Sequence, residues 1–228
     1  MRRILMMMGV LVALVALLPL AVTAQEDPAL VRVMHASPDA PPVDVFVDGT
    51  PILEGVPFFA LSGALAAPPG TYRIQVAPTG AGPDASVIDA PVTVEGGKAY
   101  VIAAVDTVES IEPLVLEDNT GIPPAGQARV RVFHAVPDAP AVDVKLAGTD
   151  IAVVGNLPFK AASYVDVDAG SYTFDITPAG SNEVVFTTPP LRLESGWNYS
   201  LIATGFLTPD EEEDPGFWVQ ARIDQITQ

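Results

Sequence analysis

The sequence predicts an all-β protein: two tandem antiparallel β-sandwich domains, immunoglobulin-like or prealbumin-like, behind an N-terminal signal peptide. Three observations carry this expectation. A fifteen-residue segment returns 99 residues further along, apolar and polar residues alternate at period two, and proline, glycine and aspartate punctuate the chain at short intervals.

The first element is the leader. Met1-Arg2-Arg3 precedes an apolar run from Ile4 to Val22, and Val22-Thr23-Ala24 supplies the small residues of a cleavage site. Cleavage after Ala24 is expected. If the run were retained, its 19 residues would just suffice for a membrane anchor. No second hydrophobic span follows, so no membrane span is expected once the signal is removed. The chain has no cysteine, which rules out disulfides, thiolate metal sites and thiol chemistry. Domains of about a hundred residues bury enough apolar surface to fold without such staples.

The charge balance is strongly acidic, with 11 basic residues against 28 acidic ones. Loss of Arg2 and Arg3 with the signal leaves nine basic residues and a net charge near −19. Such a surface repels nucleic acid and anionic membranes. It favours solubility, and it can attract divalent cations or basic partners.

The repeat defines the domains. Val31-Arg32-Val33-Met34-His35-Ala36-Ser37-Pro38-Asp39-Ala40-Pro41-Pro42-Val43-Asp44-Val45 answers to the segment Val130 to Val144, with twelve of fifteen positions identical. Downstream, Gly49-Thr50 matches Gly148-Thr149, Pro57-Phe58 matches Pro158-Phe159, and Gly70-Thr71-Tyr72 matches Gly170-Ser171-Tyr172. A period of this length is a whole domain. The expected boundaries are a signal over 1–24, a first repeat over 25–122, a proline-rich linker over 123–127 and a second repeat over 128–228. Pro123 and Pro124 stiffen the connection and restrict the relative orientation of the two domains.

Within each copy, Val31, Val33 and His35 share one strand face, with Arg32 and Met34 on the other. Val43 and Val45 alternate with Asp44 and Phe46, and Tyr72, Ile74 and Val76 with Arg73 and Gln75. Tyr100 to Val105 and Tyr199 to Ala203 are apolar on both faces, as central strands are. The last strands are expected over Ile111 to Leu116 and near Phe217 to Val219. Pro38-Asp39-Ala40-Pro41, Asp48-Gly49 and Pro68-Pro69-Gly70 set the turns between strands, and 23 prolines leave little room for helices.

The motif V-R-V-x-H-A-x-P-D-A-P-x-V-D-V, present twice behind a signal peptide, resembles the domain-of-unknown-function family DUF4397. The resemblance spans nearly all of the chain after the leader. It implies β-sandwich modules of a bacterial or archaeal protein, secreted or held at the cell surface on the periplasmic side of the envelope. It implies no activity.

Candidate sites are few. His35 and His134, the only histidines, sit at one motif position on the valine face. There an imidazole can hold the following turn against the core, and Asp39 and Asp138 can close Asx turns. The functional alternative is a metal site of His35, Asp39 and Asp44, repeated as His134, Asp138 and Asp143, with calcium as its ion; otherwise no cofactor is expected. This spacing matches no standard metal motif. Asp166-Val167-Asp168-Ala169-Gly170 departs from a calcium loop in its glycine position and at Thr177, where a glutamate is needed. The run Asp210 to Asp214 reads as a solvated loop. The sequon Asn198-Tyr199-Ser200 falls in an expected central strand and is discounted. No nucleophile elbow, metalloprotease pair or phosphate loop occurs, so no catalytic residues are assigned and an enzyme is not expected. The expected function is an exported structural or adhesive envelope module, whose partner is an envelope component or an extracellular protein. The alternative is a soluble extracellular carbohydrate-, peptide- or calcium-binding protein, using Phe58, Phe59, Phe159, Phe217 or Trp218 as anchors.

Overall fold

The computed structural model describes residues 27–210, 212 and 214–224. The expected signal over 1–24, and Glu211 and Glu213 of the acidic loop, lie outside the described residues. The first copy consists of β1 (Ala29–His35), β2 (Val43–Val47), β3 (Thr50–Val56), β4 (Leu65–Ala67), β5 (Gly70–Pro78), β6 (Ile88–Val94), β7 (Ala99–Val105) and β8 (Glu112–Asp118). The second consists of β9 (Gln127–His134), β10 (Val142–Leu146), β11 (Ala152–Leu157), β12 (Ala162–Asp168), β13 (Gly170–Tyr172), β14 (Phe174–Pro178), β15 (Phe186–Thr187), β16 (Leu191–Leu193), β17 (Asn198–Thr204) and β18 (Trp218–Ile223). Apart from two short 3-10 turns, no helix occurs among the described residues, and none is long and apolar enough to cross a membrane.

In the first copy the sheet β4-β1-β7-β8 faces the sheet β3-β2-β5-β6. β1 pairs antiparallel with β4 and parallel with β7. Immunoglobulin constant domains keep their first two strands in one sheet. Here β1 and β2 lie in opposite sheets, so the prealbumin-like alternative holds. The proline-rich turn after His35 carries the chain from one sheet to the other, and its prolines cannot donate to a ladder. Asp48 and Gly49 (φ 50° and 80°) then close a two-residue hairpin of the primed type between β2 and β3.

The second copy repeats this order as β12-β9-β17-β18 facing β11-β10-β14-β15, with β13-β16 as a separate ribbon. The ribbon exists because Pro189 and Pro190 stand where the first copy has the single Pro91. Their missing donors interrupt the ladder that runs unbroken through β5 and β6.

Each sandwich has its own core, around Val31, Val45, Ile74 and Ile102 in the first copy and Val130, Val144, Phe174 and Leu201 in the second. A third apolar cluster joins the copies, built from Met34, Val101, Ala103 and Val105 of the first and Phe133 and Ile202 of the second. The outer faces of the two β1-type sheets therefore pack on each other. That is why β7 and β17 read as apolar on both faces.

Candidate functional site

The repeated histidines hold turns. His35, 1% exposed, places Nε2 3.1 Å from the Pro41 carbonyl oxygen, and its Nδ1 accepts from the Ser37 amide. His134 does the same with Pro140 and Val136. Phe58 and Phe159 pack edge-on against these imidazoles. Burial lowers the pKa of both histidines, so the fold favours their neutral form.

Asp39 and Asp138 reach further than Asx turns. Asp39 accepts from the Val108 amide, and Asp138 from the amides of Leu207 and Thr208. Each ties the turn after the first strand of its copy to the loop after β7 or β17. Asp44 takes the amides of Gly55 and Gly80, and Asp143 those of Asn156 and Gly180. These bonds hold both aspartates below the ordinary carboxylate pKa. Gly55 (φ 61°) and Asn156 (φ 50°) are in the left-handed region, at irregularities of the β2–β3 and β10–β11 pairings. The four carboxylates among the six candidate metal residues thus serve backbone amides. Among the described residues no group of three or more such side chains is placed to hold a metal ion.

Sequence reasoning missed the polar centre of the junction. Arg32 and Arg131 occupy the same motif position, while Asp118 ends β8 opposite Ala99 and Asp224 directly follows β18, its amide bonded to the Asn198 carbonyl. Arg32 bonds Asp118 at 2.7 Å and Asp224 at 2.8 Å. Arg131 pairs with the same two carboxylates, closing a ring of four charges. Side-chain exposure within the ring is 4–10%. Ser200 accepts from Arg131 Nε and donates to Asp224. Val101 stands at the equivalent place in the first copy, and Arg32 Nε accordingly has no partner among the described residues. Burial opposes the Arg32 charge, but Asp118 and Asp224 outweigh it and raise its pKa.

The same positions of both copies build this quasi-twofold junction, yet their chemistry has diverged around the ring. Phe59 receives the Arg222 guanidinium over its ring at 5.3 Å and accepts from Arg222 through its carbonyl at 2.9 Å. Its counterpart Lys160 instead pairs with Asp106 and Glu112 of the first copy at 2.6 and 2.7 Å. The signal in the sequence was an outer strand face carrying Arg plus a large apolar residue in both copies.

The second feature is an apolar cavity of about 460 Å3 between the sheets of the first copy. Val31, Val45, Ile74, Ile88, Val92 and Val94 are among its walls. Ile52 and Leu65, 40% and 37% exposed, flank its mouth between the edge strands β3 and β4. β4 is short because Gly63-Ala64 replaces the single residue Tyr164. After the isolated Met34–Leu61 bridge, Ser62 therefore bulges and its hydroxyl takes the Val33 amide. At matching positions the second copy carries Phe174 for Ile74, Phe186 for Ile88, Leu191 for Val92, Leu193 for Val94, Leu157 for Val56 and Val167 for Ala67. Val165 for Leu65 and Val153 for Ile52 run the other way.

Other sequence candidates are dispersed. Trp218, 52% exposed, stacks edge-on with Phe186, which also meets Phe217. Ser200 of the sequon is fully buried, and the Asn198 amide donates to the Gly121 carbonyl. Asp166 pairs with Arg129 at 2.8 Å, and Asp168 accepts from Gln127.

The family model described as domain of unknown function (DUF4397) matches residues 29–145 and 128–219. No curated protein matches the chain. Among solved structures, the TIE protein of Bacillus anthracis aligns at 15% identity and a TM-score of 0.26, covering 79% of this chain and 34% of that one. The chain thus spans about a third of that protein's length. The fimbrial anchor protein Mfa2 from Porphyromonas gingivalis aligns at 14% identity and a TM-score of 0.27, covering 87% of this chain and 98% of that one.

Proposed function

The chain belongs to the DUF4397 family, and from that premise we propose that it is an exported structural or adhesive module of the cell envelope. Its two sandwiches act as one stiff body that presents loops to an envelope component or an extracellular protein. One observation carries the reading: the junction buries an apolar cluster and a closed ring of four charges between the copies. A pair locked in this way transmits force and orientation, whereas two domains on a free linker do not. The histidines and repeated aspartates support it too, since the polar atoms of each are hydrogen-bonded to turn or bulge backbone. The acidic surface disfavours nucleic acid and favours neutral or basic partners.

Co-sedimentation of residues 25–228 with purified envelopes, in calcium and in EDTA, tests the proposal. Retention under both conditions is expected, and absence from the pellet under both overturns it. The exposed Trp218 favours a second reading, a soluble binding protein with an aromatic platform beside Phe186 and Phe217. A Trp218→Ala variant that keeps all glycan binding would remove that reading.

A further inference from the structure

We propose that the interior of the first sandwich is a binding site for one aliphatic hydrocarbon chain, inserted between β3 and β4 with an uncharged head group left at the mouth. The volume is the first argument. An apolar cavity of 150 Å3 accommodates benzene; at about 460 Å3 this one is roughly three times larger and suits a chain of on the order of a dozen carbons.

The chemistry of the walls is the second argument. They are valine, isoleucine, leucine, alanine and proline with a methionine, and none carries a carboxylate, guanidinium or ammonium group. The two polar rings among them are already committed. Tyr72 donates to the Pro68 carbonyl, and both His35 nitrogens face turn backbone. No group remains inside to orient a polar ligand, so the buried part of the occupant is hydrocarbon. Outside, the exposed Glu54 of β3 and a net charge of −17 disfavour an anionic head.

The second copy is the third argument, because it serves as an internal control. It closes the same sheets over larger residues at six matching positions, so the fold does not require the space. The mouth is also particular to the first copy. β12 runs for seven residues along the second, where β4 has only three, and Leu65 and Ile52 stay exposed beside the resulting gap.

The test is calorimetric titration of the purified protein with 1-dodecanol, beside dodecanoate and phosphatidylcholine vesicles. One molecule of dodecanol per chain is expected, with a Tm that rises with its concentration and weaker binding of dodecanoate. The variant Ile74→Phe/Ile88→Phe installs the second copy's residues and should lose dodecanol affinity at least tenfold while remaining folded. Val92→Leu/Val94→Leu, a milder filling, should weaken it by a smaller factor and guards against a misfolded first variant. Vesicle pelleting that disappears in the filled variants identifies a membrane lipid as the source of the chain. Dodecanol binding without pelleting identifies a free amphiphile. Absence of dodecanol binding, or binding unchanged in both filled variants, overturns the proposal. Because no envelope enters the assay, these outcomes are separate from those of the structural reading.

Discussion

In the second copy Phe174 and Phe186 lie where the first copy has Ile74 and Ile88, and the two sandwiches differ accordingly in their interiors. Their polar anchors, by contrast, coincide. Tyr72 and Tyr172 each donate to the carbonyl four residues back. Tyr100 and Tyr199 each accept the amide of a glutamate five residues back. The histidine and aspartate bonds repeat likewise. The topology is therefore held by a small set of directional bonds at turns and bulges, while core volume has been free to diverge. Burying an unpaired carboxylate or imidazole is costly, whereas an isoleucine for a phenylalanine leaves the strand pattern intact.

The junction allows the sharpest break of this comparison. Asp118→Ala leaves Arg32 and Arg131 to share Asp224, and should cost about 3–5 kcal/mol in urea unfolding. Asp224→Ala should cost slightly less, since that carboxylate is the more exposed of the two. A loss below about 1 kcal/mol for either would mean that the ring is hydrated like a surface pair.

The interiors come next. Phe174→Ala should cost about 4 kcal/mol, while Ile74→Ala should cost about 2 kcal/mol because its surroundings already border open space. Equal losses would show the first interior to be as tightly packed as the second.

The smallest effect is that of pH. His35 and His134 have folded pKa values lowered by burial, so their contribution is complete above the ordinary imidazole value of about 6.5. It is lost as the pH falls through that value toward the lowered one, because the unfolded chain takes up the protons. Stability should decline from pH 7 to 5, and His35→Gln/His134→Gln should flatten that decline. Asp44 and Asp143 act in a separate, more acidic window, with stability lost as pH falls from the ordinary carboxylate value toward their lowered ones. An unchanged slope between pH 7 and 5 in the double variant would remove the histidines from the account.

Much of this was legible in the residues. The valine–histidine face predicted buried imidazoles bonded to the following turn, and the two-faced apolar runs predicted β7 and β17 as central strands. Arg32 and Met34, repeated as Arg131 and Phe133, were read only as an outer face, because nothing local says what covers an outer face. The reach of Asp39 to Val108 and of Asp138 to Leu207 was missed for a related reason. An Asx turn satisfies the same carboxylate locally, and only the packed loops decide between the two.

By itself the sequence determined the two-copy organisation, the strand alternation and the turns, because periodicity, proline and glycine act within a few residues of chain. The tertiary structure decided which strands share a sheet, that the two outer faces close over a ring of charges, and that one interior is full and the other is not. These depend on sums of volume and charge over strands far apart in sequence, where each substitution is unremarkable alone and only their meeting in space has a consequence.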